Sequence, residues 1–152
     1  MSHAMRPALV LGASAAILSL GLSGCSVLSA ITNRTHSTNL KVGQCIQVPD
    51  GSTVYDVELR DCSKEHTGEV YYIEKITDAT LPDEDEMDQM MEDACFDNFK
   101  SYVGKSYSDS SLEVTAMYPT EQTWAKGDRD IVCVALPGDS TTLSRSVKDS
   151  NM

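Results

Sequence analysis

The sequence predicts an α+β fold: a mostly antiparallel sheet with one long helix packed on a face, and two disulfides. Three observations carry that expectation. Short segments in both halves of the chain alternate apolar and polar residues, one long stretch between them repeats apolar residues at spacings of three and four, and four cysteines are spread over these segments. Strands, then a helix, then more strands is the order of an α+β sandwich.

The strands come first. In "TVYDVEL" the residues Tyr55, Val57 and Leu59 share one face, and in "EVYYIEKI" the alternation puts Val70, Tyr72 and Ile76 together with Glu74. The segment "LEVTAMY" sets Leu112, Val114, Ala116 and Tyr118 on one side, with Glu113 and Thr115 opposite. The last strand, "DIVCVAL", is apolar on both faces, which suits an interior place in the sheet.

The helix lies in "LPDEDEMDQMMEDACFDNFKSYVG". Met87, Met90, Met91, Ala94, Cys95, Phe99, Tyr102 and Val103 form one apolar stripe. Asp83 and Glu86 make a capping pair at its start, and Gly104 is placed to end it. The acid run from Glu84 to Asp88 lacks the glycine and alternating ligand spacing of a calcium loop, and acids are favoured at a helix N-terminus by the dipole. The methionines read as core filler.

Four cysteines allow three pairings. Cys45 and Cys62 flank the first hairpin-like unit, whereas Cys95 sits on the helical stripe and Cys133 in the last strand, so Cys45 is expected to pair with Cys62 and Cys95 with Cys133. The second bridge would pin helix to sheet. A zinc site built from the same four residues would want a CxxC pair, and the chain has none.

A fifth cysteine, Cys25, stands apart. It follows Arg6 and the uncharged run from Ala8 to Gly21, which has the character of a signal-peptide h-region and is shorter than the roughly 20 apolar residues a membrane span needs. The residues before it, "LSGC", resemble the lipobox of bacterial lipoproteins, in which the thiol takes a diacylglyceryl group and cleavage leaves the acylated cysteine at the N-terminus. The expected plan is a signal peptide over residues 1–24, the lipidated Cys25 and a flexible tether over 25–39, one domain over 40–137, and a disordered tail over 138–152, the last because "PGDSTTLSRSVKDSNM" is rich in small polar residues. Export places the four domain cysteines where thiols pair.

Charge excludes some functions. Residues 1–24 contain one charged side chain, Arg6, so the remainder carries 11 basic and 23 acidic groups, a net of −12. Nucleic acid is excluded as a partner, and an anionic lipid surface would be repelled, which leaves lipid on Cys25 as the means of holding the membrane. Two or three acyl chains make a durable anchor where one is marginal.

Candidate binding residues fall in two segments. "CSKEHTGEV" sets His66 three residues before Glu69, a spacing from which a metal pair or an acid/base couple can be drawn, although a loop histidine bonded to its neighbours is the commoner use. "PTEQTWAKGDR" offers Trp124, the only tryptophan, with Asp128 and Arg129 close behind; the ring either packs on the sheet or serves as a binding anchor. There is no GxSxG, HExxH or phosphate loop, so no catalytic residue, metal or cofactor is assigned and the chain is not expected to be an enzyme.

The segments "VGQC" (42–45), "CSKEHTGEV" (62–70), "CFDNFKSYVG" (95–104), "DSSLEV" (109–114) and "PTEQTWAKGDRDIVC" (119–133), taken in order, resemble the septum-formation domain of actinobacterial exported and membrane proteins. Two departures stand out. The family commonly has an acid and an aromatic around its first cysteine, where this chain has Gln44 and Ile46, and a proline before the histidine, where this chain has Glu65. The resemblance implies a role in the cell envelope near the division site and carries no catalytic residues with it. The expected function is therefore a lipid-anchored extracytoplasmic module that binds another envelope protein. A small-ligand or cell-wall-binding module is the alternative, and an envelope hydrolase the third reading.

Overall fold

A computed structural model describes residues 33–48, 56–139 and 141–152. The signal peptide, Cys25 and Tyr55 lie outside the described residues. Six strands, β1 (Arg34–His36), β2 (Cys45–Gln47), β3 (Asp56–Arg60), β4 (Gly68–Lys75), β5 (Leu112–Met117) and β6 (Asp130–Pro137), form one curled sheet in the order β1-β3-β2-β4-β6-β5. Every pairing is antiparallel. Helix α1 (Glu84–Val103) crosses one face, and a short helix α2 (Glu121–Trp124) leads into β6.

The start of α1 is fixed by its sequence. Asp83 accepts a hydrogen bond from the Glu86 amide at 2.9 Å and Glu86 reaches back to the Asp83 amide, which satisfies two amides that the first turn would otherwise leave open. Glu84, Asp85 and Glu86 complement the dipole at this end and Lys100 at the other. Gly104 closes the helix at φ +91°, a left-handed conformation that strains any residue with a Cβ.

The apolar stripe packs as expected: Met87, Ala94, Cys95, Phe99, Tyr102 and Val103 are buried. They meet Tyr71, Ile131, Cys133 and Ala135 from the sheet. A second cluster fills the opposite face, where the sheet curls so that Leu40, Ile46 and Val57 close over Val70, Val132 and Val134. β6 contributes alternately to both clusters, which explains its unbroken apolar run and its interior place. Both expected disulfides are present, Cys45–Cys62 and Cys95–Cys133.

Three expectations are corrected. Simple alternation put Val70 on one face with Tyr72 and Ile76, but the β4–β6 register shifts between Val70 and Tyr72. The extra residue of this bulge turns Tyr71 and Tyr72 both toward the helix side and leaves Val70 and Ile73 in the opposite cluster. The tether read over 25–39 is too long: Arg34–His36 already pair with Asp56–Glu58, and a single 3-10 turn at Ser37–Asn39 carries the chain to buried Leu40.

The tail read as disordered over 138–152 is packed over its described residues. Leu143 and Val147 are 4% and 0% exposed within the main core, Leu143 forms a bridge with His66, and the Asn151 amide bonds to Val103. Its polar composition misleads because two apolar side chains and a few backbone bonds suffice to hold twelve residues against a preformed core.

Two disulfides are a large share of the stability of a domain this size. Non-reducing peptide mapping is expected to return the Cys45–Cys62 and Cys95–Cys133 fragments, and removal of either pair as Cys→Ala double variants is expected to cost about 3 and 4 kcal/mol respectively in denaturant titrations.

Candidate functional site

The residues singled out from sequence lie in two places. Glu69 pairs with Ala135 at one end of the β4–β6 ladder, while Lys75 pairs with Asp130 at the other and the Ile76 amide bonds to the Arg129 carbonyl. At about 3.3 Å per strand residue, the two segments are roughly 20 Å apart along the ladder. They do not form one site.

His66 and Glu69 are both 0% exposed. The His66 ring Nδ1 donates to the Lys64 carbonyl at 2.7 Å, which fixes the proton on that nitrogen, and the buried Nε2 has no hydrogen-bond partner among the described residues. Glu69 does not bond to it. Instead the Glu69 Oε1 accepts from the Tyr102 hydroxyl at 2.6 Å and from the Ser146 hydroxyl at 2.7 Å, and Oε2 accepts from the Val147 amide at 2.7 Å. Neither ion pair among the described residues includes Glu69, so three neutral donors, and no cation, hold its buried carboxyl group. The acid/base couple is thus not assembled. The two residues serve the fold, as full burial removes them from any surface a partner could touch.

The Cys45 Sγ lies 3.6 Å from Glu69 Oε2, and both sulfurs of the Cys45–Cys62 bridge fall within 4.8 Å of the carboxylate. Inside a disulfide neither sulfur has a proton to donate or a thiolate charge to offer a cation, so this contact is packing and not a metal centre.

At the other end, Thr120 caps α2 with a reciprocal pair of bonds to Thr123. The Trp124 ring packs on the main core and its outer face is covered by the Arg129 guanidinium, 3.4 Å from the ring centroid. The Arg129 Nη1 also donates to the Trp124 and Asp128 carbonyls, and the Asp128 carboxylate accepts from the Asp130 amide. The tryptophan is therefore a clamp on the loop entering β6, with its π-face already taken by a cation.

The surface that is open lies elsewhere. Phe96, Tyr107 and Tyr118 are 41%, 37% and 48% exposed, and Phe96 packs against Tyr107 with the rings tilted 52° and their centroids 4.8 Å apart. Between α1 and β5 runs a groove of about 410 Å³ walled by Met91, Phe96, Val114, Ala116 and Tyr118, with the Asp88 and Glu92 carboxylates along its helical rim. Cys95, bridged to Cys133, lies at its base.

One signal of this groove was in the sequence: Phe96 is an aromatic residue off the buried stripe. Tyr118 does share the face of Leu112, Val114 and Ala116, but just past the end of β5 it stays 48% exposed at the groove. How much of that face is covered depends on where the helix sits, which spacing does not reveal.

Residues 42–150 match the model of the septum-formation family. The chain belongs to this family. No curated protein and no solved structure matches it. The septum-formation match runs to residue 150, so the family's domain takes in Ser146 and Val147, two of the three donors that hold Glu69.

Glu69→Gln replaces an acceptor oxygen by a donor against three donors, and is expected to lower unfolding free energy by about 1–3 kcal/mol. Ser146→Ala, which removes a single bond, is expected to lose about 1 kcal/mol in the same urea titration. The network also predicts an alkaline limit. Burial first, and then the bond to Glu69, push the Tyr102 phenol above the ordinary tyrosine value of about 10. Its folded form keeps the proton more tightly than the unfolded chain, so this stability is complete below about pH 10 and is lost as pH rises toward the folded value. Thermal melts of Tyr102→Phe between pH 8 and pH 11 should show a shallower alkaline decline than the parent protein.

Proposed function

We propose that this septum-formation protein is a lipid-anchored extracytoplasmic module that works by binding another protein of the cell envelope, in the service of septum formation. The observation that carries the binding role is the exposed aromatic patch: in a chain with net charge −11, Phe96, Tyr107 and Tyr118 are left in water beside a groove. The address rests on "LSGC" at Cys25 and on four paired cysteines, which suit an oxidising compartment. Among the described residues no helix is long and apolar enough to cross a membrane. Confinement to a thin layer raises the domain's effective concentration toward neighbours there without any new contact.

A second reading has its own support. A groove of about 410 Å³ with aromatic walls falls in the size range of small-molecule sites, so a ligand or cell-wall fragment stacking on Phe96 and Tyr118 is the alternative. We read the protein as non-enzymatic, since His66 and Glu69 are turned to separate structural tasks.

Three measurements test the proposal. Mass spectrometry of the mature protein should find Cys25 as an acylated N-terminal residue, and Cys25→Ser should shift the protein from the membrane to the soluble fraction; an unmodified thiol removes the anchor. A photo-crosslinking residue in place of Tyr118 in living cells should capture an envelope protein, whereas the same residue at exposed Asp56, on β3 across the sheet from β5, should not. Capture of cell-wall glycan instead would favour the ligand reading.

A further inference from the structure

Four features coincide at the groove. The first is the free edge of the sheet. β5 is the last strand in the order and pairs only with β6, and among the described residues no backbone hydrogen bond other than that ladder engages Glu113–Met117. An edge strand of six residues presents a row of outward amides and carbonyls, a template on which an extended segment adds as a seventh strand. The second is depth. Side chains of an added strand on the helix side would enter the space between β5 and α1, whose walls include Met91 and Ala116.

The third feature is charge. Asp88 and Glu92, one helical turn apart and both exposed, line the rim of this groove, and neither has an ion-pair partner among the described residues. The fourth is the aromatic pair Phe96 and Tyr118, each more than two-fifths exposed. An apolar channel ending in carboxylates and flanked by aromatic faces suits a long aliphatic stem with a cationic head, which is a lysine or arginine side chain.

Resting on the binding role proposed above, we infer that the partner supplies an extended segment with lysine or arginine at alternate positions, which pairs with the free edge of β5 and lays its cationic side chains between Phe96, Tyr118 and the Asp88 and Glu92 carboxylates. A second copy of this chain is disfavoured in that place. Joining two β5 edges would bring Asp88, Glu92 and Glu113 of both copies together in a protein of net charge −11. The same acids that exclude self-pairing select a basic partner.

The test uses the mature full-length protein in dodecyl maltoside micelles and blocked seven-residue peptides. The probe alternates threonine with lysine; one counterpart carries glutamate for lysine, and two isomers are N-methylated at one or the other alternate set of amides. Fluorescence polarisation at 0.15 M salt is expected to show the lysine peptide at least tenfold tighter than the glutamate peptide, and Asp88→Lys/Glu92→Lys, on the exposed side of α1, to reverse that order. One N-methylated isomer should lose at least tenfold while the other keeps its affinity, since only one edge of the peptide faces β5. Hydrogen exchange should slow at the amides of residues 113–117.

Equal binding of the lysine and glutamate peptides, equal loss on both N-methylations, or competition by free lysine amide at the same concentration as the peptide would overturn the strand-addition inference. So would a concentration-dependent dimer abolished by Asp88→Lys/Glu92→Lys. If Tyr118 still crosslinks an envelope protein while the peptides fail, only this inference falls; if no protein is captured, the binding role falls with it.

Discussion

The fold depends on one buried carboxyl group. Glu69 takes a hydrogen bond from the helix through Tyr102, one from the tail through Ser146 and one from the backbone at Val147, and so joins three segments far apart in sequence at a point inside the core. Each of these bonds is modest against water. Together they are obligatory, because the oxygens of Glu69 are 0% exposed with their residue and would otherwise stand unsatisfied. The consequence is that tail and helix end cannot move independently of β4. The Asp149 and Asn151 amides, bonded to the carbonyls of Tyr102 and Val103, extend the same closure to the last turn of α1, where Gly104 would otherwise leave carbonyls open.

The disulfides complement this network on either side. Cys45–Cys62 lies against Glu69 and closes the strand end of the core, while Cys95–Cys133 fixes the middle of α1 to the middle of β6. A staple reduces the freedom of the unfolded chain, whereas the carboxyl network specifies which arrangement of the folded chain is satisfied. Both are needed in a domain whose core is divided into two thin clusters on opposite faces of one curled sheet.

Much of this was legible from residue spacing. The helical stripe, its Asp83 and Glu86 cap, its stop at Gly104 and the interior place of β6 all follow from local pattern, since each is decided within a few residues. What escaped was decided at long range. The bulge at Tyr71 depends on how β4 meets β6, not on β4 alone. The tail's Leu143 and Val147 are two apolar residues in a polar stretch and carry no periodic signal; the core they enter and the partners they find at His66, Glu69, Tyr102 and Val103 are far away in sequence. The same is true of the candidate site. His66 and Glu69 stand out in the sequence as titratable groups, yet their prominence reflects burial and bonding within the domain. Trp124 stands out by its size, and Arg129 covers its outer face.

Why the surface opens between α1 and β5 follows from the second disulfide. The bond from Cys95 to Cys133 holds the helix over β6, one strand in from the edge, so α1 cannot slide outward to cover β5. Val114, Ala116 and Tyr118 then face the helix side without being fully roofed, and Phe96, one residue past the bridge on the helix, turns toward the same gap. A covalent crosslink at the base of a groove keeps its two walls at a constant separation. A site held this way loses little conformational entropy when it is filled, so more of the contact energy appears as affinity. The same rigidity would make an uncharged edge strand a template for aggregation, and the acids at Asp88, Glu92 and Glu113 are placed where they counter that tendency. Openness and negative charge at this edge are therefore one solution: the crosslink exposes the strand, and the carboxylates decide what is allowed to pair with it.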